Sequence, residues 1–576
     1  MLYVLLNWCF VLITAFITGF AFLAPFERLG WRCGRATGML MAGLAALTVY
    51  AQVYSLFSGV GMGADLLLIL FCLTAAVLLR KRLLEFWKRM KGQMDRKEVL
   101  ILLFLFLFFA YGTSRGFMHV DTGLYHAQAI RWIEDYGVVC GLGNLHSRFA
   151  YNSSAFALCA LFSMKWAFGE PMHAVQGFLA WIVAAQCASG LLMLGKRKRV
   201  RISDFLRLGE VYYLTVLFGE IVSPATDYFA MLLVFYVLTA WLDHLEEGEK
   251  NAVPYALLSL LLVFTVTVKL SAAVVLALAL KPAVMLIRER RWKQIGLYVG
   301  LGIAVCLPWM IRGVLISGWL FYPFTFPDLF SVDWKMEKGY ADSDAKEIQV
   351  FARALYDVNL YDTPFAGWVR NWFGKLRGME KVWVAASAFC TAAGAASLIP
   401  AAAAVRKKKA EGQKKLEERV GIPAWDWILY AAVLILGYLF WQFSAPLVRY
   451  GYAYVIALPT GVVGYWFCFF FGKTESRQNG LRLFLICMCA FFLYKAADLG
   501  KAVRETAAQP YYIRQQGYGE YEAFTYEVDG VMIYVPADGG KIGYDKFPSS
   551  PRVQDIELRR WGDLSSGFRA AGTGNE

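Results

Sequence analysis

Residues 115–152 collect an unusual share of the side chains that can do chemistry. His119, Asp121 and Tyr125 are followed by His126 and Gln128, and three of the five histidines of the chain fall here. Read as a helix from 121 to 135, the segment places Asp121, Tyr125, Gln128 and Trp132 on one stripe, with Ala127, Ile130 and Ile133 on the opposite side. A carboxylate among rings and amides suits a sugar, because ring faces cover its apolar faces and amides bond its hydroxyls. A plainer account fits the same residues: an interfacial helix lying on a membrane, with Asp121 as its N-terminal cap. Downstream, Asn144, His146, Arg148, Tyr151 and Asn152 form a polar run that reads either as more of the same site or as a solvated turn after Gly141 and Gly143. His119, Asp121 and His126 could also ligate a divalent cation, although their spacing matches no zinc pattern.

Further charges punctuate apolar stretches. "GEIVSPATDYF" puts Glu220 and Asp227 at a membrane edge, where acids are costly and point to function; Asp227 also reads as a helix cap. Lys269 divides an apolar run from Val253 to Leu280 that is too long for one span, which places it on a tight outer hairpin, as a ligand or as a snorkelling side chain. In "PWMIRGVLISGWLFYP", Arg312 is positioned to grip a phosphate with its rigid fork. "FSAPLVRYGYAY" sets Arg449 beside Tyr450 and Tyr452. Both arginines also read as anchors in an interfacial aromatic belt.

The elements that must carry these residues are membrane helices. Of 576 residues, 58% are apolar and 18% charged, against roughly 45–50% and about 25% in soluble domains. Mean hydropathy is +0.46. These values exclude an ordinary soluble enzyme and a disordered chain. Apolar runs near 2–24, 37–58, 64–80, 99–114, 172–194, 208–222, 227–243, 253–267, 270–287, 295–313, 380–403, 424–441, 450–472 and 481–498 predict an all-α polytopic fold of about 14 spans. Loops 80–98 and 195–207 each carry net +5, 288–294 carries +3 and 404–419 carries +4. The positive-inside rule puts these four in the cytoplasm. Loop 115–152 is neutral, 314–379 is −1 and 499–576 is −2, so these lie outside, and the overall charge of +14 reports orientation rather than nucleic-acid binding. The acidic stretch 243–251 dissents. Alternation makes 153–168 a surface helix or one that dips in and returns. The tail contains a hairpin signal, Asp529-Gly530, between "YEAFTYEV" and "VMIYVP", which predicts a small β-containing outer cap. The cysteines, mostly within apolar runs and without a CxxC pair, predict no disulfide framework. The first apolar run has no basic residue before it and reads as a retained helix rather than a cleaved leader.

The string "DTGLYHAQAIRWI…GLGNLHSRFAYNSS" and the ending "IELRRWGDLSSGFR" resemble an uncharacterised family of bacterial polytopic membrane proteins. An acid soon after the first core span, a second outer acid and the "PWMIRG…SGWLFYP" segment resemble the GT-C superfamily of membrane glycosyltransferases. The resemblance covers most of residues 99–576. It implies a transmembrane core over 99–498 with outer loops 115–171 and 314–379, extra N-terminal helices over 1–98, and an extracytoplasmic tail over 499–576. It implies a polyprenyl-phosphate-linked sugar donor, a glycan or lipid acceptor, and chemistry outside the bacterial cytoplasmic membrane in cell-envelope polysaccharide assembly. Asp121 would then be the base toward the acceptor or a metal holder, and Asp227 the second acid. Tyr125, His126, Gln128, Asn144, His146, Arg148, Asn152, Lys269, Arg312 and Arg449 would contact substrate. No cofactor is required, and a divalent cation remains open. The absence of a Trp-Trp-Asp string argues against transfer to protein asparagine. The competing expectation is a non-catalytic transporter or assembly component, but transporters place polar groups at mid-membrane, and here they lie at the outer edge.

Overall fold

The computed structural model describes residues 1–31, 36–93, 95–406, 417–473 and 475–572; most of the 404–419 loop lies outside these. Among the described residues, eleven helices are long and apolar enough to cross a membrane. A pair bent by 79° raises the number to twelve. The chain is a mainly helical, multi-pass membrane protein, as expected of apolar segments that must satisfy their backbone groups internally.

The helices run α1 (Leu2–Leu23), α2 (Ala36–Ser55), the bent pair α3 (Met62–Leu78) and α4 (Arg80–Gln93), and α5 (Arg96–Ser114). The first large loop, the one expected to be outer, holds α6 (Ala127–Asp135) and α7 (Ser154–Leu161). Then come α8 (Val175–Arg197), α9 (Ile202–Leu217), α10 (Thr226–Glu246), α11 (Ala252–Val268), α12 (Leu280–Arg288) and α13 (Trp292–Ser317). The second large loop carries α14 (Lys338–Ala352) and α15 (Phe365–Lys375) before α16 (Met379–Arg406), α17 (Ala424–Phe443), α18 (Val448–Phe471) and α19 (Arg477–Thr506). Residues 1–98 share one continuous buried core with the later helices: the Trp8 indole donates to the Ala174 carbonyl at 3.0 Å.

Every residue of α7 is buried, and the Asn7 amide donates to the Phe162 carbonyl at 2.7 Å. The chain then turns back, with the Met172 amide on the Ser163 carbonyl at 2.8 Å. Residues 153–168 therefore enter the helix bundle and return rather than lie on its surface. The acidic stretch 243–251 has a local explanation: Asp243 binds Arg207 at 2.5 Å and Glu247 faces Arg201 at 3.6 Å. Its acids neutralise cations of the neighbouring basic loop. The described cysteines are all free.

The tail forms two small antiparallel sheets, β1 (Ala523–Val528) with β2 (Val531–Pro536) and β3 (Ile556–Leu558) with β4 (Phe568–Ala570). Asp529 and Gly530 turn the first hairpin at φ +47° and +82°, the doubly left-handed turn that matches strand twist. The tail docks on the first large loop. The Ile542 amide bonds the Gly123 carbonyl at 3.0 Å and the Phe568 amide the Cys140 carbonyl at 2.9 Å. Trp132 packs on Phe547 with ring centroids 4.6 Å apart. A buried carboxylate secures the joint: Glu134 accepts from His173 at 2.7 Å and from the Tyr544 hydroxyl at 2.5 Å. Burial alone would raise the Glu134 carboxyl, but these partners hold it below the usual range. The Met1 ammonium donates to the carbonyls of Tyr511 and Arg514 at 2.8 and 2.9 Å, which ties α1 to the start of the tail.

Candidate functional site

Four charged side chains from four segments meet at one point. Asp121 comes from the loop after α5, Asp227 from the first turn of α10, Lys269 from the break after α11, and Arg449 from the first turn of α18. Arg449 binds Asp121 at 2.8 Å and approaches Asp227 at 3.7 Å. Lys269 is ion-paired with Asp227 and lies over the Tyr450 ring, 4.0 Å from its centroid. Two acids and two cations thus balance one another in a site whose side chains keep 10–24% exposure.

Local sequence explains each placement. Gly116, at φ +150°, brings its backbone against the Gly219 carbonyl, 2.5 Å from where a Cβ would stand. The Phe117 amide then bonds that same carbonyl at 2.8 Å, which aims the following residues toward α10. The Asp121 amide donates to His119 Nδ1 at 3.1 Å, and the His119 amide is held by the Ser223 hydroxyl at 2.7 Å. Lys269 stands in extended backbone (φ −153°, ψ 121°) between α11 and a 3-10 stretch, Leu270–Ala279. The carbonyl freed at this break, Val268, accepts from the Ser153 hydroxyl at 2.8 Å. In α18, Gly451 departs from helical geometry, and a Cβ there would sit 2.2 Å from the Trp441 ring. The kink sets Val448–Tyr450 apart from the rest of α18.

The capping accounts do not hold. Asp121 precedes a π-helical turn but makes no side-chain capping bond, and α10 has Ala225 at its N-cap with no such bond either. Both carboxylates turn to cations instead. Lys269 is paired rather than snorkelling, and Arg449 faces inward.

The other expected contacts divide. Tyr125 lies in the field of Asp121 and Asp227, and burial first, then that negative charge, pushes its hydroxyl well above the usual range. Arg148 lies over the Tyr125 ring at 5.9 Å. His126 is buried, near Thr122 Oγ1 at 3.3 Å. Burial and then the neighbouring His119 hold it well below the histidine range, so it is neutral. Gln128 is not displayed on a free surface. Its amide donates to the carbonyls of Ile542 and Lys546 at 3.2 and 2.8 Å and accepts from the Ser549 amide at 2.9 Å. The polar stripe of α6 faces the tail, not a membrane surface or a sugar. Asn144 bonds the Trp334 carbonyl at 2.9 Å. His146 meets the Leu124 carbonyl at 3.4 Å, its ring held at a pKa of about 3 by burial and then by Arg148. Asn152 braces α13: its amide donates to the Trp309 carbonyl at 2.8 Å, and its Oδ1 accepts from Arg312 at 3.2 Å. Arg312 also bonds Ser55 and shares neither acid, so it does not join Lys269 and Arg449. These four residues act as scaffold, because their polar atoms are taken by protein groups that burial obliges to pair.

His119 was legible only as a metal ligand, yet it sits at the centre. Among the described residues no group of three acids, histidines or cysteines is placed to hold a metal, and the two acids already carry cations. Burial first, then the Arg449 charge, lowers His119, so the ring is neutral. Its Nδ1 faces the Asp121 amide and its Nε2 the Arg449 guanidinium, so two donors compete for the one acceptor nitrogen of a neutral imidazole. Tyr228, ring centroid 6.1 Å from His119, donates to Glu220 at 2.7 Å and closes the far wall. Nothing in the sequence marks Ser223 or Tyr228 apart from their closeness to Asp227.

No curated protein and no solved structure matches the chain. A family model described as a domain of unknown function (DUF8201) matches residues 1–456, which include Asp121, Asp227, Lys269 and Arg449. The chain belongs to this DUF8201 family.

Proposed function

We propose that the protein is a glycosyltransferase of GT-C type that takes a sugar from a polyprenyl phosphate and passes it to a glycan or lipid acceptor outside the bacterial cytoplasmic membrane, in cell-envelope polysaccharide assembly. The observation that carries this reading is the convergence of Asp121, Asp227, Lys269 and Arg449 at one point. In the structure the cations rest on the acids. A phosphodiester entering between Lys269 and Arg449 draws both cations to itself. Asp121 is thereby released as a base. It accepts the proton of the acceptor hydroxyl as that oxygen attacks the anomeric carbon. The bond from that carbon to the phosphate oxygen breaks, and the electron pair leaves with polyprenyl phosphate, with inversion. Charge developing on the phosphate meets donors already in place, the arrangement that lowers barriers most. Asp227 holds Lys269 and Arg449 in register. A polar site at the outer edge, not at mid-membrane, favours this reading over a transporter.

The orientation belongs to the same reading. Fourteen crossings follow if α3 and the shorter α9 and α11 each traverse and α4 turns along the inner surface, with 80–98, 195–207, 288–294 and 404–419 inside and the tail outside. Cysteine labelling from either side tests this, and a tail cysteine reached only from the cytoplasm would sink it. The function is tested by heat stability in nanodiscs with a fifteen-carbon polyprenyl phosphate against the matching alcohol. At about 100 times Kd the phosphate should add about 2.7 kcal/mol, and Arg449→Gln should abolish that gain. Equal stabilisation by phosphate and alcohol would refute phosphate recognition.

A further inference from the structure

Arg148 is the charged group that the proposed reaction does not use. It is half-buried in the short 3-10 turn Ser147–Tyr151. Its guanidinium lies over the face of Tyr125, and the Tyr125 ring stands 5.8 Å from that of Tyr151. Tyr151 in turn neighbours Tyr322 at 5.8 Å, whose hydroxyl donates to Asp344 at 3.0 Å. A row of rings therefore leads from the Asp121 turn to α14 of the second large loop, with Arg148 at its start. Among the described residues, Arg148 makes no hydrogen bond and no ion pair within 4.0 Å. The acids in its field are Asp121, Glu347 and Asp344; Asp121 is already bound by Arg449 and Asp344 by the Tyr322 hydroxyl, so the donors of Arg148 stay open. Its fork matches a planar oxyanion.

We infer that the acceptor is anionic, and that Arg148 grips a carboxylate or phosphate of that acceptor at the Asp121 end of the aromatic row. The inference rests on the glycosyltransferase reading for the word acceptor, and on Arg148 for the charge. The aromatic row gives the adjoining sugars stacking surfaces, while Arg148 fixes which unit presents its hydroxyl to Asp121. An oxyanion held there lies apart from the donor phosphate, whose cations are Lys269 and Arg449.

The test is binding to the full-length protein in nanodiscs, by calorimetry, of three probes: trigalacturonate, a glycerol phosphate trimer and neutral trigalactose. At least one anionic probe should bind about tenfold more tightly than the neutral one, the worth of one charge-assisted bidentate contact. The two anionic arms separate carboxylate from phosphate as the source. Arg148→Gln should bring the anionic and neutral probes to within about twofold, and Arg148→Lys, which keeps charge and loses the fork, should fall between. Because Arg148 bonds no protein group, both variants should melt as the wild type does. No anionic preference, no binding of any probe, or a preference unchanged in both variants overturns the inference. The glycosyltransferase reading fails separately: an anionic preference without any polyprenyl phosphate recognition keeps the Arg148 site and removes the enzyme, whereas sugar transfer without an anionic preference does the reverse.

Discussion

Replacing Asp121 with asparagine separates chemistry from architecture. In the structure Asp121 makes one ion pair, with Arg449, and no capping bond. Arg449 keeps Asp227 at 3.7 Å when that pair is lost, and an asparagine oxygen still accepts from the guanidinium. Both side chains keep about a fifth of their surface exposed. The cost to folding is therefore nearer an exposed pair than a buried one, about 1 kcal/mol, against a total stability on the order of 5–15 kcal/mol. An amide has no useful proton affinity at neutral pH, so loss of the base should slow transfer at least about a hundredfold, roughly 2.7 kcal/mol on the barrier. Asp227→Asn is the companion variant. It leaves Lys269 without a carboxylate, and breaking this more buried pair should cost about 2–3 kcal/mol of stability, short of the 3–5 kcal/mol of a fully buried one. Melting in nanodiscs gives the first quantity. Release of polyprenyl phosphate from a panel of polyprenyl-phosphate hexoses, in the presence of acceptor glycans, gives the second. If Asp121→Asn transfers at a near-normal rate, Asp121 is not the base. If Asp227→Asn folds normally and alone is inactive, the two acids exchange roles.

Gln128→Ala removes the partner of two tail carbonyls and one tail amide; at about 1 kcal/mol or more for each buried group left unpaired, the tail should become susceptible to limited proteolysis while the membrane helices stay intact, and unchanged protection would show that the tail is held elsewhere. His146 should make stability fall with acidity. Its folded pKa is about 3 against 6.5 unperturbed, so the unfolded chain binds the extra proton; the contribution is complete above about pH 6.5 and lost as pH falls toward 3, roughly 2 kcal/mol of it by pH 5. A melt in which His146→Asn does not flatten the drop between pH 7 and pH 5 contradicts this.

Much of the fold is legible in the chain because the bilayer imposes a simple rule: long apolar runs must be helices. Lys269 is found this way, since one charge in an overlong apolar run has to mark a turn. Asp529-Gly530 is found by turn chemistry alone. The α6 stripe shows where this logic stops. The spacing of Asp121, Tyr125, Gln128 and Trp132 states that they share a face, but not what lies against it. A tail more than 400 residues away in sequence covers Gln128 and Trp132 and leaves Asp121 free. Helix periodicity contains no information about so distant a partner. Asn152 misleads for a related reason. A polar side chain beside serines in a loop reads as a ligand contact, yet all three brace helices: Asn152 holds α13 at Trp309, and at the end of α11 Ser153 holds Val268 and Ser154 meets Thr267.

The scaffold residues also explain how a site of opposed charges is kept in place. Ser153 fixes the carbonyl before Lys269, Tyr454 bonds the Ser271 carbonyl just after it at 2.9 Å, and Gly451 admits Trp441 behind Arg449. The backbone under each cation is thus pinned on both sides, while the side chains above retain partial exposure. Four charges on partly exposed side chains over a pinned backbone could exchange partners without moving a helix. In the proposed reaction an incoming anion would need only to outcompete two carboxylates for two cations. The free carboxylate would then be created only when the phosphate has arrived, and the base that would activate water would stay tied to Arg449 until the donor released it. It follows that Arg449→Gln, which frees Asp121 permanently, should not simply be inactive. Alongside weaker donor binding, the fraction of donor lost to hydrolysis rather than transfer should rise, and an unchanged ratio of the two products would show that the ion pair plays no part in timing the reaction.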